Sequence, residues 1–183
     1  MNSPFTLLFL LALASSTGLR LWLAQRQFRH VAAHRQAVPA DFAGQVPLEA
    51  HQKAADYTCA KVRLAQADTV LDAAVLLGLT LGGGIDWLAR LWAGWLGAPL
   101  WQGVAVIASA LLISGLLGLP LTLLATFGVE ARFGFNRTTP ALYLADLAKS
   151  VLLGALLGLP LLALVLWLLT ALGSQAWLAV WAV

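Results

Sequence analysis

Charge is what this chain has least of. Only 10% of its 183 residues are Asp, Glu, Lys or Arg, whereas 61% are hydrophobic. Soluble domains run at about 25% charged and about 45–50% apolar, so composition excludes a water-facing globular fold. A mean hydropathy of +0.84 agrees. The single cysteine, Cys59, excludes an internal disulfide and cannot make a metal site alone, so it reads as a small packing residue. The net charge is only +3, and no cationic face exists apart from the loops flanking apolar runs, which excludes nucleic acid as a partner. The lipid bilayer is the partner this composition demands.

What is present is a series of apolar runs. A bilayer core needs about 20 mostly apolar residues per helix. Spans are expected at about 5–24, 70–91, 100–127 and 151–171, and a further apolar run begins at Ala176 and stops at Val183. The expectation is an all-α integral membrane protein with four full transmembrane helices and the start of a fifth, residues 1–183 forming one N-terminal transmembrane domain. Arg20 lies close enough to the end of the first run to snorkel toward the headgroups. Ala12-Leu13-Ala14 has a cleavage-like pattern, but no Lys or Arg precedes Phe5, so a signal peptide would lack its basic region.

Lys and Arg orient the bundle. Arg26, Arg29, Arg35, Lys53, Lys61 and Arg63 lie between the first two spans, and Arg132, Arg137 and Lys149 between the third and fourth. The connection between the second and third offers only Arg90. Both basic loops, 25–67 and 128–150, are therefore expected in the cytoplasm, with the N-terminus outside and the protein in the inner (cytoplasmic) membrane. Small residues recur four apart at Gly78 and Gly82, Ser114 and Gly118, and Gly154 and Gly158, a spacing that lets helices approach closely in lipid. Pro120 and Pro160 fall inside spans and remove backbone donors there.

The first loop is long enough to carry structure of its own. From Leu48 onward "LEAHQKAADYTCAKVRLAQAD" reads as a long amphipathic cytoplasmic helix, with Leu48, Ala55, Cys59 and Val62 on one face and Glu49, Lys53, Asp56 and Arg63 as a charged stripe. No breaker intervenes before Gly78, so the helix is free to continue into the second span. His30 and His34 have the spacing of a zinc-protease helix, but Val31 stands where that motif needs its glutamate base, and no third ligand is evident. They read as part of a basic, headgroup-facing segment.

The second loop is the most specific stretch, "FGVEARFGFNRTTPALYLADLAKS" from Phe127 to Ser150. Thr139 is placed to cap a helix whose first position is Pro140. Asn136 suits a left-handed or turn conformation. Phe133 and Phe135 are out of place at a polar loop tip unless they bury against something.

This stretch resembles the loop between spans three and four of the type I CAAX prenyl endopeptidases and their bacterial relatives, which are integral-membrane zinc metalloproteases. Pro39 to Leu64, which contains "HQKAADYTCAKVRL", resembles the other hallmark of the same N-terminal region. The resemblance implies several long membrane helices enclosing a chamber, capped on the cytoplasmic side by a metalloprotease domain. It places that family's zinc-binding H-E-x-x-H helix beyond the fifth span. Neither that motif nor a later glutamate ligand occurs in this chain, so no catalytic residue and no metal ligand carries over. What the resemblance carries over is a set of contacts to the catalytic domain or the substrate channel at Phe135, Asn136, Arg137, Thr138 and Thr139. His51, Gln52, Lys53, Asp56 and Tyr57 would line or brace the same side. The partners implied are that missing C-terminal domain and a peptide or membrane-protein substrate, with zinc as the cofactor of the intact parent. This chain alone is expected to be inactive. The competing reading is a stand-alone multi-span membrane protein that binds a partner. A transporter fits less well, because Asp72 and Asp86 sit toward span ends and Asp86 has Arg90 four residues on.

Overall fold

Ser3 starts the first helix. Its hydroxyl accepts the Thr6 N–H at 3.2 Å, and Pro4 occupies the first helical position, where a missing N–H costs nothing. The computed structural model describes residues 3–42 and 44–173, and all regular structure among them is helical. The expected start of a fifth span lies outside the described residues. Helix α1 runs Pro4–Ala33, well past residue 24, because nothing in the basic segment breaks it.

Helix α2, Leu48–Leu79, joins the loop helix and the first part of the expected second span into one element of 32 residues. Three consecutive glycines then stop it. The Gly82 N–H donates to the Leu77 carbonyl at 2.8 Å, and Gly83 adopts a φ of 77°. A Cβ at position 82 would come within 2.6 Å of the Gly78 oxygen, so Gly78 and Gly82 form a tight turn rather than a seam between helices. Helix α3, Gly84–Ala93, follows. The run expected as one span over 70–91 is thus a broken pair. Helix α4, Pro99–Leu123, continues through a π-helical stretch, Leu124–Glu130, and a last short turn, α5, Ala131–Phe133. Helix α6, Pro140–Leu172, opens as expected, with the Thr139 hydroxyl accepting the Leu142 N–H at 3.2 Å. Among the described residues, three helices are long and apolar enough to cross a membrane: α1, the run from Pro99 to Phe133, and α6; α2 and α3 qualify only as one broken span.

The chain divides into two compact units, 1–76 with 116–137, and 77–115 with the residues from 138 on. In the first, α1 and α2 run antiparallel. Arg63 lies over the Phe28 ring at 4.9 Å, and Gln66 donates to Gln25 at 3.3 Å. Half-buried positions recur every three to four residues along α1, from Leu13 and Thr17 through Leu21 and Gln25 to Phe28, which is the face a packed helix presents. On α2, Ala55 and Val62 are buried and Cys59 is half-buried, whereas Leu48 at the helix start is exposed. In the second unit, a Cβ on Gly103 would sit 3.2 Å from Leu166 Cδ1, marking where α4 and α6 approach. Gly118, Gly154 and Gly158 face open space instead. Leu and Trp side chains cover much of the exterior, as a lipid-facing surface requires.

Candidate functional site

The first unit brings the two unusual loop sequences together. Glu130 ends the π-helical stretch, and α5 closes with Gly134 at a φ of 78°. The Gly134 N–H donates to Ala131 O at 3.1 Å and the Phe135 N–H to Glu130 O at 2.8 Å, the paired bonds of a Schellman helix end. Gly134, not Asn136, takes the left-handed conformation, because only a residue without Cβ enters it at no steric cost. Asn136 instead donates its backbone N–H to Glu130 O at 3.2 Å.

This turn aims the two phenylalanines at Tyr57. Phe133 meets the Tyr57 ring edge-on at 5.4 Å between centroids and is buried, only 8% exposed. Phe135 meets the same ring at 4.8 Å but remains 57% exposed. Cations sit over the cluster: Lys61 is 5.4 Å from the Tyr57 ring, Lys53 is 5.7 Å from Phe135, and Arg132 is 5.7 Å from Phe133. Lys53, Tyr57 and Lys61 are spaced by four, so a single stripe of α2 makes this face. Glu49 has the right spacing for Lys53, yet no ion pair joins them among the described residues.

The adjacent stripe of α2 is tied to the end of α1. Arg35 grips Asp56 with two bonds, Nε to Oδ1 at 2.7 Å and Nη2 to Oδ2 at 2.8 Å. The Arg35 hydrogen bond holds the Asp56 carboxyl below the usual aspartate value against the opposing effect of desolvation, and the charges of Arg35 and Arg132 add to it. The same bond raises Arg35. The His51 ring nitrogen Nε2 bonds the His34 carbonyl oxygen at 2.9 Å, and Gln52 donates to the Gln36 side chain at 3.1 Å. His30 and His34 stack at 4.3 Å, with the His34 Nδ1 bonded to the His30 carbonyl oxygen.

Of the residues singled out in sequence, Lys53, Tyr57 and Phe135 therefore meet at one place, with Asn136 next to Phe135 on the Glu130 carbonyl, and His51, Gln52 and Asp56 hold residues 34–36 just past α1. Arg137 is exposed. Thr138 and Thr139 belong to the second unit, where Thr139 serves as the α6 cap. Arg35, Lys61 and Arg132 also belong to the cluster and escaped sequence reading. The spacing of Lys61 four residues after Tyr57 was the only available signal. Below the cluster, Lys61, Asp68 and Glu130 rim a cavity of about 260 Å³ floored by Leu64, Leu121 and Ala125.

Among the described residues, no three His, Cys, Asp or Glu side chains gather to hold a metal ion. No third donor among the described residues joins His30 and His34, whose rings lie 4.3 Å apart, to complete a metal site.

Residues 27–183 match the N-terminal region of the CAAX prenyl proteases, described as five membrane helices, and the chain belongs to that family of membrane metallopeptidases. Among solved structures it is similar to Ste24p of S. mikatae, with a TM-score of 0.84 and 20% sequence identity over 98% of this chain. The likeness covers 43% of the Ste24p chain, so this chain spans less than half the length of that protein. At that identity the likeness establishes the fold alone. No curated protein matches the sequence.

Proposed function

We propose that this chain is the N-terminal membrane portion of a zinc-dependent membrane endopeptidase of the CAAX prenyl protease type, and that it is inactive without the catalytic region. In this reading four full spans and the start of a fifth hold the chain in the cytoplasmic membrane of a bacterium. Its N-terminus lies outside, and loops 25–67 and 128–150 lie inside. The intact enzyme would use zinc to activate water against peptide bonds in prenylated tails or in membrane proteins.

The observation that carries the reading is the division of labour within the cluster. His51, Gln52 and Asp56 are spent on His34, Gln36 and Arg35, just past α1, and brace the platform. Phe135 presents an aromatic face that is 57% exposed, with Lys53 above it. An exposed ring held by a Schellman turn and a bidentate ion pair one helix face away is preorganised for contact rather than left over from packing. Phe135 and Arg137, with Asn136, Thr138 and Thr139 beside them in sequence, would meet the catalytic domain or the substrate channel.

The test uses the full-length protein encoded by the source gene. Phe135→Ala combined with Arg137→Ala should lower cleavage of a prenylated reporter peptide by about tenfold or more, the effect expected of losing a positioning contact, with zinc content unchanged. The 183-residue chain by itself should neither bind zinc stoichiometrically nor cleave the peptide. Cleavage by the isolated chain would overturn the reading. Unchanged cleavage in the full-length double variant would remove the loop from the working site and favour a separate partner for it.

A further inference from the structure

Four of the eight tryptophans gather in the second unit. Trp87, Trp92 and Trp95 lie on or just after α3, and Trp101 stands near the start of α4. Trp87, Trp95 and Trp101 are 57%, 80% and 54% exposed. Indole rings left open in this way mark the headgroup layer of a bilayer. Helix α3 has the matching pattern. Asp86 and Arg90 share one side, while Trp87, Leu88, Leu91 and Trp92 occupy the other, with Leu88 only 3% exposed. Ten residues reach about 15 Å, half the hydrocarbon thickness, so α3 does not cross a membrane by itself.

Under α3 is a groove of about 440 Å³, within the range of small-molecule sites. Its α4 wall is one stripe, Trp101, Ala105, Ala108 and Leu112, spaced four, three and four apart. That stripe is about 16 Å long at 1.5 Å per residue. Trp92 and Leu96, Val104 and Ser109 of α4, and Leu159 of α6 complete the lining. The polar side chains at the groove are already paired within the chain. The Trp92 indole N–H donates to Ser109 Oγ at 3.0 Å, and Gln102 Nε2 donates to the Leu96 carbonyl at 2.6 Å. An occupant below the tryptophans thus meets only hydrocarbon.

Depth identifies that occupant. A core of about 20 helical residues counted back from Phe127 reaches its far boundary near Ile107. Trp101 then stands at headgroup level, and Ala108 to Leu112 line the first part of the acyl layer. We propose that this groove is an ordered lipid site, holding the proximal acyl chain of one bilayer phospholipid with its glycerol end beside Trp101. The small side chains of Ala105 and Ala108 leave the width for an alkyl chain, and the engaged polar groups make no demand on a particular headgroup. The inference is independent of the protease reading.

The test is photocrosslinking from p-benzoylphenylalanine placed at Leu112, at the deep end of the groove, and at Leu157, a lipid-facing control that is 69% exposed. The chain is reconstituted in phosphatidylethanolamine–phosphatidylglycerol vesicles, extracted in mild detergent, washed free of loose lipid and then irradiated. The expected product is an adduct of phospholipid mass at position 112 and little at 157. Ala108→Phe, which fills the groove, should cut the phospholipid retained by the washed protein about fivefold from roughly one per chain. Equal adducts at 112 and 157 would mean bulk lipid only and would overturn the proposal. So would no lipid adduct at 112, or an adduct joining position 112 to another segment of the protein. The crosslink stands even if Ala108→Phe fails to fold.

Discussion

Phe133 and Phe135 share a partner ring but differ sevenfold in exposure, 8% against 57%, and that difference sets a quantitative expectation. Truncating a buried Phe to Ala costs about 3–5 kcal/mol. Phe133 lies at the edge of its unit, where Tyr57 and the turn can relax toward it, so Phe133→Ala should fall near the low end, about 3 kcal/mol. Roughly 1 kcal/mol of that belongs to the edge-on contact with Tyr57 rather than to burial. Phe135 loses less than half as much buried surface, so Phe135→Ala should cost about 1 kcal/mol, most of it the ring contact. At about 2–4 °C per kcal/mol for a chain of this size, the melting temperature should drop by about 6–12 °C for Phe133→Ala and about 2–4 °C for Phe135→Ala. The assay is thermal unfolding of the purified chain in mild detergent, followed with a thiol-reactive fluorogenic dye. Cys59 is the only thiol and lies half-buried on α2, two residues from Tyr57, so the dye reports opening of this region. In a Tyr57→Ala background, the Phe133→Ala cost should shrink by about 1 kcal/mol. Equal shifts for the two single variants, or a Phe133→Ala shift no larger than the one at Phe135, would refute the assignment of Phe133 to packing and Phe135 to contact.

Two further expectations concern the same platform. Asp56 has a folded-state pKa below its unfolded value, so its ion pair with Arg35 stabilises the protein above about pH 3.9 and loses that effect as pH falls further, through the folded value. The stability advantage of wild type over Asp56→Asn, read by circular dichroism on heating, should be flat from about pH 8 to pH 5 and shrink only below about pH 4; a fall between pH 7 and pH 5 would assign the dependence to another group. Gly134→Ala should cost about 1–2 kcal/mol from the left-handed backbone alone, since the new Cβ would be 4.0 Å from Lys53 Nζ, an ordinary contact. Gly134→Asn should recover part of this in the same melt, because Asn tolerates that conformation; equal costs for Ala and Asn would show that space, not φ, limits the site.

Much of this protein was legible in its sequence because the governing interactions are local. Apolar runs of sufficient length must find lipid, and their helices satisfy the backbone internally. Thr139 and Pro140 begin α6 as their side chains dictate, and the unbroken stretch before Gly78 carries α2 from the loop into the expected second span. Gly78 and Gly82 have the spacing of a helix-packing pair, yet they lie in one turn, and the backbone freedom of Gly82 to Gly84 makes that stretch a breaker. Asn136 was weighed for the left-handed position that Gly134 occupies at lower cost.

Other features were settled only in three dimensions. Arg35 and Asp56 are 21 residues apart, and no periodicity links them; they pair because α1 and α2 run antiparallel in one particular register. Asp86 and Arg90 had the spacing of mates, yet Arg90 Nε bonds the Asp86 carbonyl at 3.3 Å instead of its side chain. Lys53 had Glu49 one turn away and turns to the Phe135 ring instead, 5.7 Å from its centroid. Which phenylalanine packs and which stays exposed follows from the turn at Gly134 meeting Tyr57, a meeting between segments some 75 residues apart. By itself the sequence determined where helices form and that they belong in a membrane, because hydrogen bonds four residues apart and the apolar length of a run are written in consecutive residues. Tertiary structure alone decided which faces of those helices meet, because that depends on through-space register, and the platform at Tyr57 is made of such meetings.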